Sequence, residues 1–304
     1  MPARDMNVTC ELVKTLSVSN QLGEGCLWRE SDQTLWWTDI LAKKLFKLSW
    51  GLWELTQFDQ PQRLGSFGFI GGNDDTIIAG FETGFALYQP VSQRIEWLDQ
   101  PNELRPEFGL RLNDGRVGPD GAFWCGSMVE HEDRMPKSST SGLYRFTKAG
   151  GAERVLDGLQ ITNGICWNPD GTKIFVCDSM TGQILSANFD ASTGLCGDFS
   201  QFAKVAGASP DGAITDSRGH YLSAIWGGRR ISIFDSEGRD IASIPLSVPQ
   251  PTCLCFCGPT LDHIMVTSAR VDLDPDRLRA APASGDIFIY KTNLTGRPCD
   301  RFSL

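Results

Sequence analysis

Only three histidines, His131, His220 and His263, occur in 304 residues. None stands in an H-E-x-x-H arrangement, which argues against a histidine-ligated zinc hydrolase. Basic residues are in deficit as well: 28 Lys and Arg face 37 Asp and Glu, a formal net charge of −9. Such a surface suits no nucleic-acid backbone. No stretch approaches the ~18 apolar residues of a membrane span, so no membrane partner is expected. The first residues, Met1-Pro2-Ala3-Arg4-Asp5-Met6-Asn7, carry no apolar core of a secretory signal, and the expected location is cytoplasmic. Long helical periodicity is missing too; residues 276–281 are the one modest candidate.

Cysteine is not scarce, with ten in the chain, but no C-x-x-C pair exists. Cys253, Cys255 and Cys257 alternate with period two and share one face of a strand. Two readings stand: a zinc site, or small buried hydrophobes of the kind free cysteine commonly supplies.

Turns are abundant. Thirty-two Gly and nine Trp suit many tight turns and many strands. Turn-then-strand units begin at residues 30–33, 72–75, 119–121, 169–171, 216–219 and 258–260. Their spacing of about 42–50 residues is that of one four-stranded propeller blade. Each unit continues into a second apolar-aromatic strand, such as Lys44-Leu45-Phe46-Lys47-Leu48 or Arg230-Ile231-Ser232-Ile233-Phe234. The expected fold is all-β, one six-bladed β-propeller domain over residues 1–304. Two β-sandwiches are the alternative. A strand-like run at about residues 10–18 is expected to close the ring against the C-terminal blade, residues 285–304, hiding two sheet edges.

Polar groups recur just before these turns. Glu24, Asn113 with Asp114, Asn163 and Asp211 precede four of them at similar distances. Equivalent positions in successive blades converge on one mouth of the central channel. Two carboxylates, Glu24 and Asp211, and the Asn163 amide then surround one point, each followed by a glycine that permits close backbone approach. Carboxylates buried together need neutralising. A divalent cation does this, and an all-oxygen ligand set suits Ca²⁺, Mg²⁺ or Mn²⁺. The other reading makes these residues local turn formers that bond their own backbone.

The chain resembles the SMP-30/gluconolactonase/regucalcin-like (LRE) family, in its bacterial sugar-lactonase branch. The likeness spans residues 22–290. It is carried, in order, by Leu-Gly-Glu-Gly at 22–25, Thr-Asp-Ile-x-x-Lys-Lys at 38–44, Arg-x-Asn-Asp-Gly at 111–115 and Gly-Ser-Met at 126–128. Thr-Asn-Gly at 162–164, Pro-Asp-Gly at 210–212, Trp-Gly-Gly at 226–228 and Thr-Ser-Ala-Arg at 267–270 complete it. The resemblance implies one divalent metal on Glu24, Asn163 and Asp211. Ca²⁺ is the expected occupant, with Mg²⁺, Mn²⁺, Zn²⁺ and Fe²⁺ as alternatives. It also implies substrate contacts from Arg111 and Asn113. Several relatives carry a substrate-contacting Glu three residues after the methionine; here His131 stands there, between Glu130 and Glu132.

The reaction so implied is hydrolysis of a sugar 1,4- or 1,5-lactone to its aldonic acid by a monomeric enzyme, with Asp211 as general base. Arg111 stabilises developing negative charge, unless it is a structural ion-pair partner of Asp114 or another acid. Competing readings are a phosphotriesterase, a calcium-binding regulatory propeller and a protein-interaction scaffold. Residues 130–141 read as a lid or a solvated excursion. Trp50-Gly51-Leu52-Trp53 reads as a sugar-stacking surface or as packing between blades.

Overall fold

The structure, a computed structural model, describes residues 6–130 and 141–304. After β1 (Cys10–Leu16), a first sheet holds β2 (Gly23–Arg29), β3 (Thr34–Asp39), β4 (Lys44–Ser49) and β5 (Leu55–Asp59). A second holds β6 (Leu64–Ile70), β7 (Asn73–Phe81), β8 (Gly84–Gln89) and β9 (Arg94–Asp99). The third is β10 (Leu110–Val117), β11 (Phe123–Val129), β12 (Ser141–Thr147) and β13 (Gly151–Leu159). The fourth is β14 (Thr162–Trp167), β15 (Lys173–Asp178), β16 (Gln183–Asp190), β17 (Leu195–Cys196) and β18 (Ser200–Lys204). The fifth is β19 (Ser209–Thr215), β20 (Tyr221–Trp226), β21 (Arg230–Phe234) and β22 (Asp240–Pro245). The sixth is β23 (Pro251–Cys257), β24 (His263–Ser268) and β25 (Ile287–Thr292), with β1 hydrogen-bonded along β25 as its outer strand.

Apolar burial explains the order within each sheet. The innermost strands β2, β6 and β23 are buried at every position. The outer strands β5, β13 and β22 are largely exposed or half-buried. Six apolar clusters each bridge two neighbouring sheets, and one of them joins β2–β4 of the first sheet to β23–β25 of the sixth. The cycle of interfaces therefore closes into a six-bladed β-propeller. Two sandwiches would have left two separate cores.

Every blade has a kink in the same place. The pairing of innermost and second strand slips between Glu24 and Leu27, Leu64 and Ser66, Leu112 and Gly115, Asn163 and Cys166, Pro210 and Ala213, and Pro251 and Leu254. An extra residue in one strand bends it and re-aims the side chains there. These six bulges lie at the same end of the channel.

Three local readings are settled here. The modest helix is α1 (Pro275–Ala280), capped by the Asp274 side chain accepting from the Asp276 and Arg277 amides. Cys253, Cys255 and Cys257 are buried in the apolar cluster between sixth and first blades. That is the placement of the small-hydrophobe reading, and among the described residues no three His, Cys, Asp or Glu side chains gather in a metal-holding group. Trp50 packs on Trp28 (5.6 Å), Trp53 (5.1 Å) and His263 (5.0 Å) between the same two blades. Its turn follows β4, at the end of the blade opposite the bulges, so it stacks no ligand at that mouth.

The segment after β25 is not a blade strand, contrary to the extent of 285–304 read from sequence. It runs beneath the channel, where Phe302 bridges to Ile70 and the Ser303 amide donates to Gly121 O at 2.9 Å. A cavity of about 50 Å³ remains there, lined by Arg116, Cys166 and Cys255 from the blades and by Arg297, Cys299 and Asp300 from the tail.

Candidate active site

Glu24, Arg111, Asn113, Asp114, Asn163 and Asp211 all stand at the bulges of β2, β10, β14 and β19, and none is more than 7% exposed. Positive φ at Gly25 (56°) and Gly164 (64°) lets the strand bulge directly after Glu24 and Asn163, a conformation costly for other residues. A Cβ at Gly164 would stand 2.6 Å from the Tyr221 hydroxyl and 3.0 Å from the Asp211 carbonyl. Gly164→Ala is therefore expected to lower stability by about 2–4 kcal/mol, read as a shifted midpoint in urea unfolding.

A chain of hydrogen bonds runs from the third blade into the fifth. Arg111 Nη1 donates to Asn113 Oδ1 (2.9 Å), and Asn113 Nδ2 donates to Asn163 Oδ1 (2.7 Å). Asn163 Nδ2 donates to Ser179 Oγ (2.8 Å), and Ser179 Oγ donates to Pro210 O (2.7 Å), just before Asp211. Asn113 thus meets Asn163 directly.

The carboxylates have no such partners. Glu24 accepts from the amide of Gly25 at 3.2 Å, which is the local bond of the turn-former reading. Burial, and then the nearby Asp211 carboxylate, push Glu24 well above the usual carboxylate range. Burial and then Asp114 do the same to Asp211. Among the described residues, neither forms an ion pair. Asp114 is raised by burial, against which Arg116 and the amides of Ile165, Gly115 and Gly164 act.

Arg111 has an acid partner, but not Asp114. Its Nε donates to Glu130 at 2.7 Å, and its Nη1 also reaches Leu112 O at 2.9 Å. Glu130 in turn accepts from Arg63 at 2.9 and 3.0 Å, and Arg63 Nε pairs with Glu82 at 2.6 Å. Burial pulls the Arg111 pKa down while Glu130 opposes the shift. The ion-pair expectation for Arg111 is met with Glu130 as the acid, and its Nη1 also contacts the amide network through Asn113. Glu130, read from sequence only as a neighbour of His131, is the brace. His131 and the rest of residues 131–140, which make up nearly all of the 130–141 loop read as a lid, lie outside the described residues.

Ser179 was not legible as a site residue. It sits sixteen positions from Asn163 and belongs to no motif, and only the return of β15 to the mouth brings it there.

The closed propeller thus gathers buried acids and oriented amides at one mouth. The chain belongs to the SMP-30/gluconolactonase/LRE-like family: that family's SMP-30/Gluconolactonase/LRE-like region matches residues 22–270. It is 31% identical over 287 residues to the L-arabinolactonase of Azospirillum brasilense, covering 93% of each chain. It is 30% identical over 279 residues to the 6-deoxy-6-sulfogluconolactonase of Pseudomonas putida, covering 90% of this chain and 92% of that one. Among solved structures, the calcium-binding protein regucalcin of Agrobacterium tumefaciens aligns with TM-score 0.87 and 28% identity, over 97% of this chain and 98% of that one. The family to which this chain belongs thus includes sugar lactonases.

Proposed function

We propose that this protein hydrolyses a sugar lactone to the aldonic acid, with a divalent cation held by Glu24, Asn163 and Asp211. One observation carries the reading. Glu24 is raised by burial and by Asp211, and Asp211 by burial and by Asp114; among the described residues neither has an ion-pair partner, and they stand beside an amide whose oxygen is fixed by Asn113. Such a set is electrostatically incomplete, and a hard cation completes it with oxygen ligands. The solved calcium-binding relative makes Ca²⁺ the first cation to test.

When bound, the cation supplies Lewis-acid polarisation of the lactone carbonyl and acidifies water. The rest falls to the chain. Asp211, through a carboxylate oxygen, takes a proton from the water that adds to the lactone carbonyl carbon. That proton goes to the ring oxygen as the ring C–O bond breaks, giving a hydroxyl and a carboxylic acid. Arg111 directs its cationic charge at the oxygen on which negative charge develops. Glu130 keeps its guanidinium from swinging. Asn113 orients sugar hydroxyls while its amide nitrogen holds Asn163.

The test is hydrolysis of a lactone panel (arabinono, galactono, xylono, glucono, rhamnono) by pH-stat, on protein stripped with EDTA and re-supplied with single cations. Stripping is expected to cut turnover by about 100-fold or more, and one cation is expected to restore it on one or two sugars. Cation binding without turnover on any lactone refutes the lactonase reading.

A further inference from the structure

Each of the three proposed cation-binding side chains follows a residue whose carbonyl is tied down. Asn113 Nδ2 donates to Thr162 O at 3.2 Å, before Asn163. Ser179 Oγ donates to Pro210 O at 2.7 Å, before Asp211. Thr252 Oγ1 donates to Gly23 O, before Glu24. In every case the donor belongs to the preceding blade, counted around the ring with the sixth before the first. The arrangement matters because a carbonyl fixes its peptide plane. That plane sets the direction in which the next residue leaves the strand, and each clamped residue is at or next to the last regular pair before the register slips.

Ser179 does more. Arg111 can only donate and the Pro210 carbonyl can only accept. Between these ends every donor must point the same way, from Arg111 through Asn113, Asn163 and Ser179 to Pro210. The Asn163 amide thus has one orientation, oxygen toward Asn113 and nitrogen on Ser179.

We propose that Ser179 and Thr252 are positioning residues of the cation site, their hydroxyls locking the backbone that presents Asp211 and Glu24, with Ser179 also fixing the Asn163 amide. This rests on the reading of Glu24, Asn163 and Asp211 as cation ligands. The fold provides its own control. Thr215 Oγ1 of the fifth blade donates to Trp167 O of the fourth at 2.6 Å, a buried hydroxyl-to-carbonyl bond between blades at the end of β19 away from Asp211.

The experiment is calorimetric titration of full-length protein with calcium chloride, and in parallel manganese chloride, alongside thermal unfolding. Ser179→Ala and Thr252→Val are each expected to weaken cation binding by about tenfold or more, as loss of a partner behind a ligand does. Ser179→Thr and Thr252→Ser keep the hydroxyl and are expected to keep wild-type affinity. Thr215→Val is expected to lower the unfolding temperature and leave affinity unchanged. Wild-type affinity in folded Ser179→Ala and Thr252→Val overturns the proposal, as does an equal loss in Thr215→Val, which would signal general loosening. Ser179→Ala alone decides if Thr252→Val does not fold, since it removes a single oxygen at the end of a blade strand. A wild-type chain that binds neither ion overturns the cation reading itself, and the proposal with it.

Discussion

Asp211→Ala yields a folded propeller that no longer binds a divalent cation and whose lactone turnover falls by about 10³-fold or more. The residue holds two proposed offices, ligand and base, so both readouts fall together. Calorimetry and pH-stat assay check this on the same sample, and retained turnover removes Asp211 from the mechanism. The acidity of the site adds a signature that activity cannot mimic. Glu24 and Asp211 are raised by burial and by carboxylate neighbours, so between the ordinary carboxylate value and the raised one the folded protein binds more protons than the unfolded chain. Stability of the cation-free protein therefore falls as pH rises through that window. Asp211→Asn keeps the shape and removes one charge, so it is expected to flatten this slope. Saturating Ca²⁺ is expected to do the same in the wild type, because the cation binds the deprotonated carboxylates and displaces the extra protons the folded protein otherwise holds. Thermal unfolding across pH, with and without Ca²⁺, checks both.

Removal of residues 1–18 is expected to leave the protein insoluble. We propose that β1 closes the ring. It pairs with β25 from Cys10 opposite Thr292 to Leu16 opposite Ile287. Beyond it, Met6, Val8 and Cys10 pack on the apolar cluster between fifth and sixth blades, and Leu16 and Val18 on that between sixth and first. Thr9 and Asn293 are joined by a 3.0 Å hydrogen bond. Without this segment β25 shows a bare edge with the buried row Ile287, Phe288 and Ile289 behind it, a template for pairing with other chains. Expression, sedimentation and urea unfolding of the truncated chain decide the matter. Soluble protein that unfolds cooperatively refutes the closing role.

The strands were legible because their signals are local. Thr34–Asp39, Lys173–Asp178 and His263–Ser268 follow turn residues and carry the apolar runs that both faces of a blade require, and the structure has strands at those bounds. The meeting of Asn113 and Asn163 was legible from the repeat, since equal positions in equal units meet on the axis; Arg111 was expected there only from the family resemblance. What escaped was non-local. Glu130 was passed over for His131 because motif spacing counts positions, whereas the pairing of β10 with β11, Leu110 opposite Val129, decides which acid meets Arg111. Ser179 and Thr252 are ordinary hydroxyls in sequence, and their partners lie in other blades. The tail misled for a related reason: Phe302 reads as a strand residue, but its burial comes from contacts across the ring with Ile70 and not from a neighbour in a sheet.

That tail changes what kind of container the propeller is. Arg297, Pro298, Cys299 and Asp300 lie against residues from β10, β14, β19 and β23 beneath the site, and Phe302 is 1% exposed. A ring of blades is by itself a tube open at both ends; with this floor it is a cup. Under the proposed lactonase reading, substrate, product and water share one rim, a product acid leaves past the same Arg111 that met the lactone, and inhibition by product is the expected result in progress curves of lactone hydrolysis.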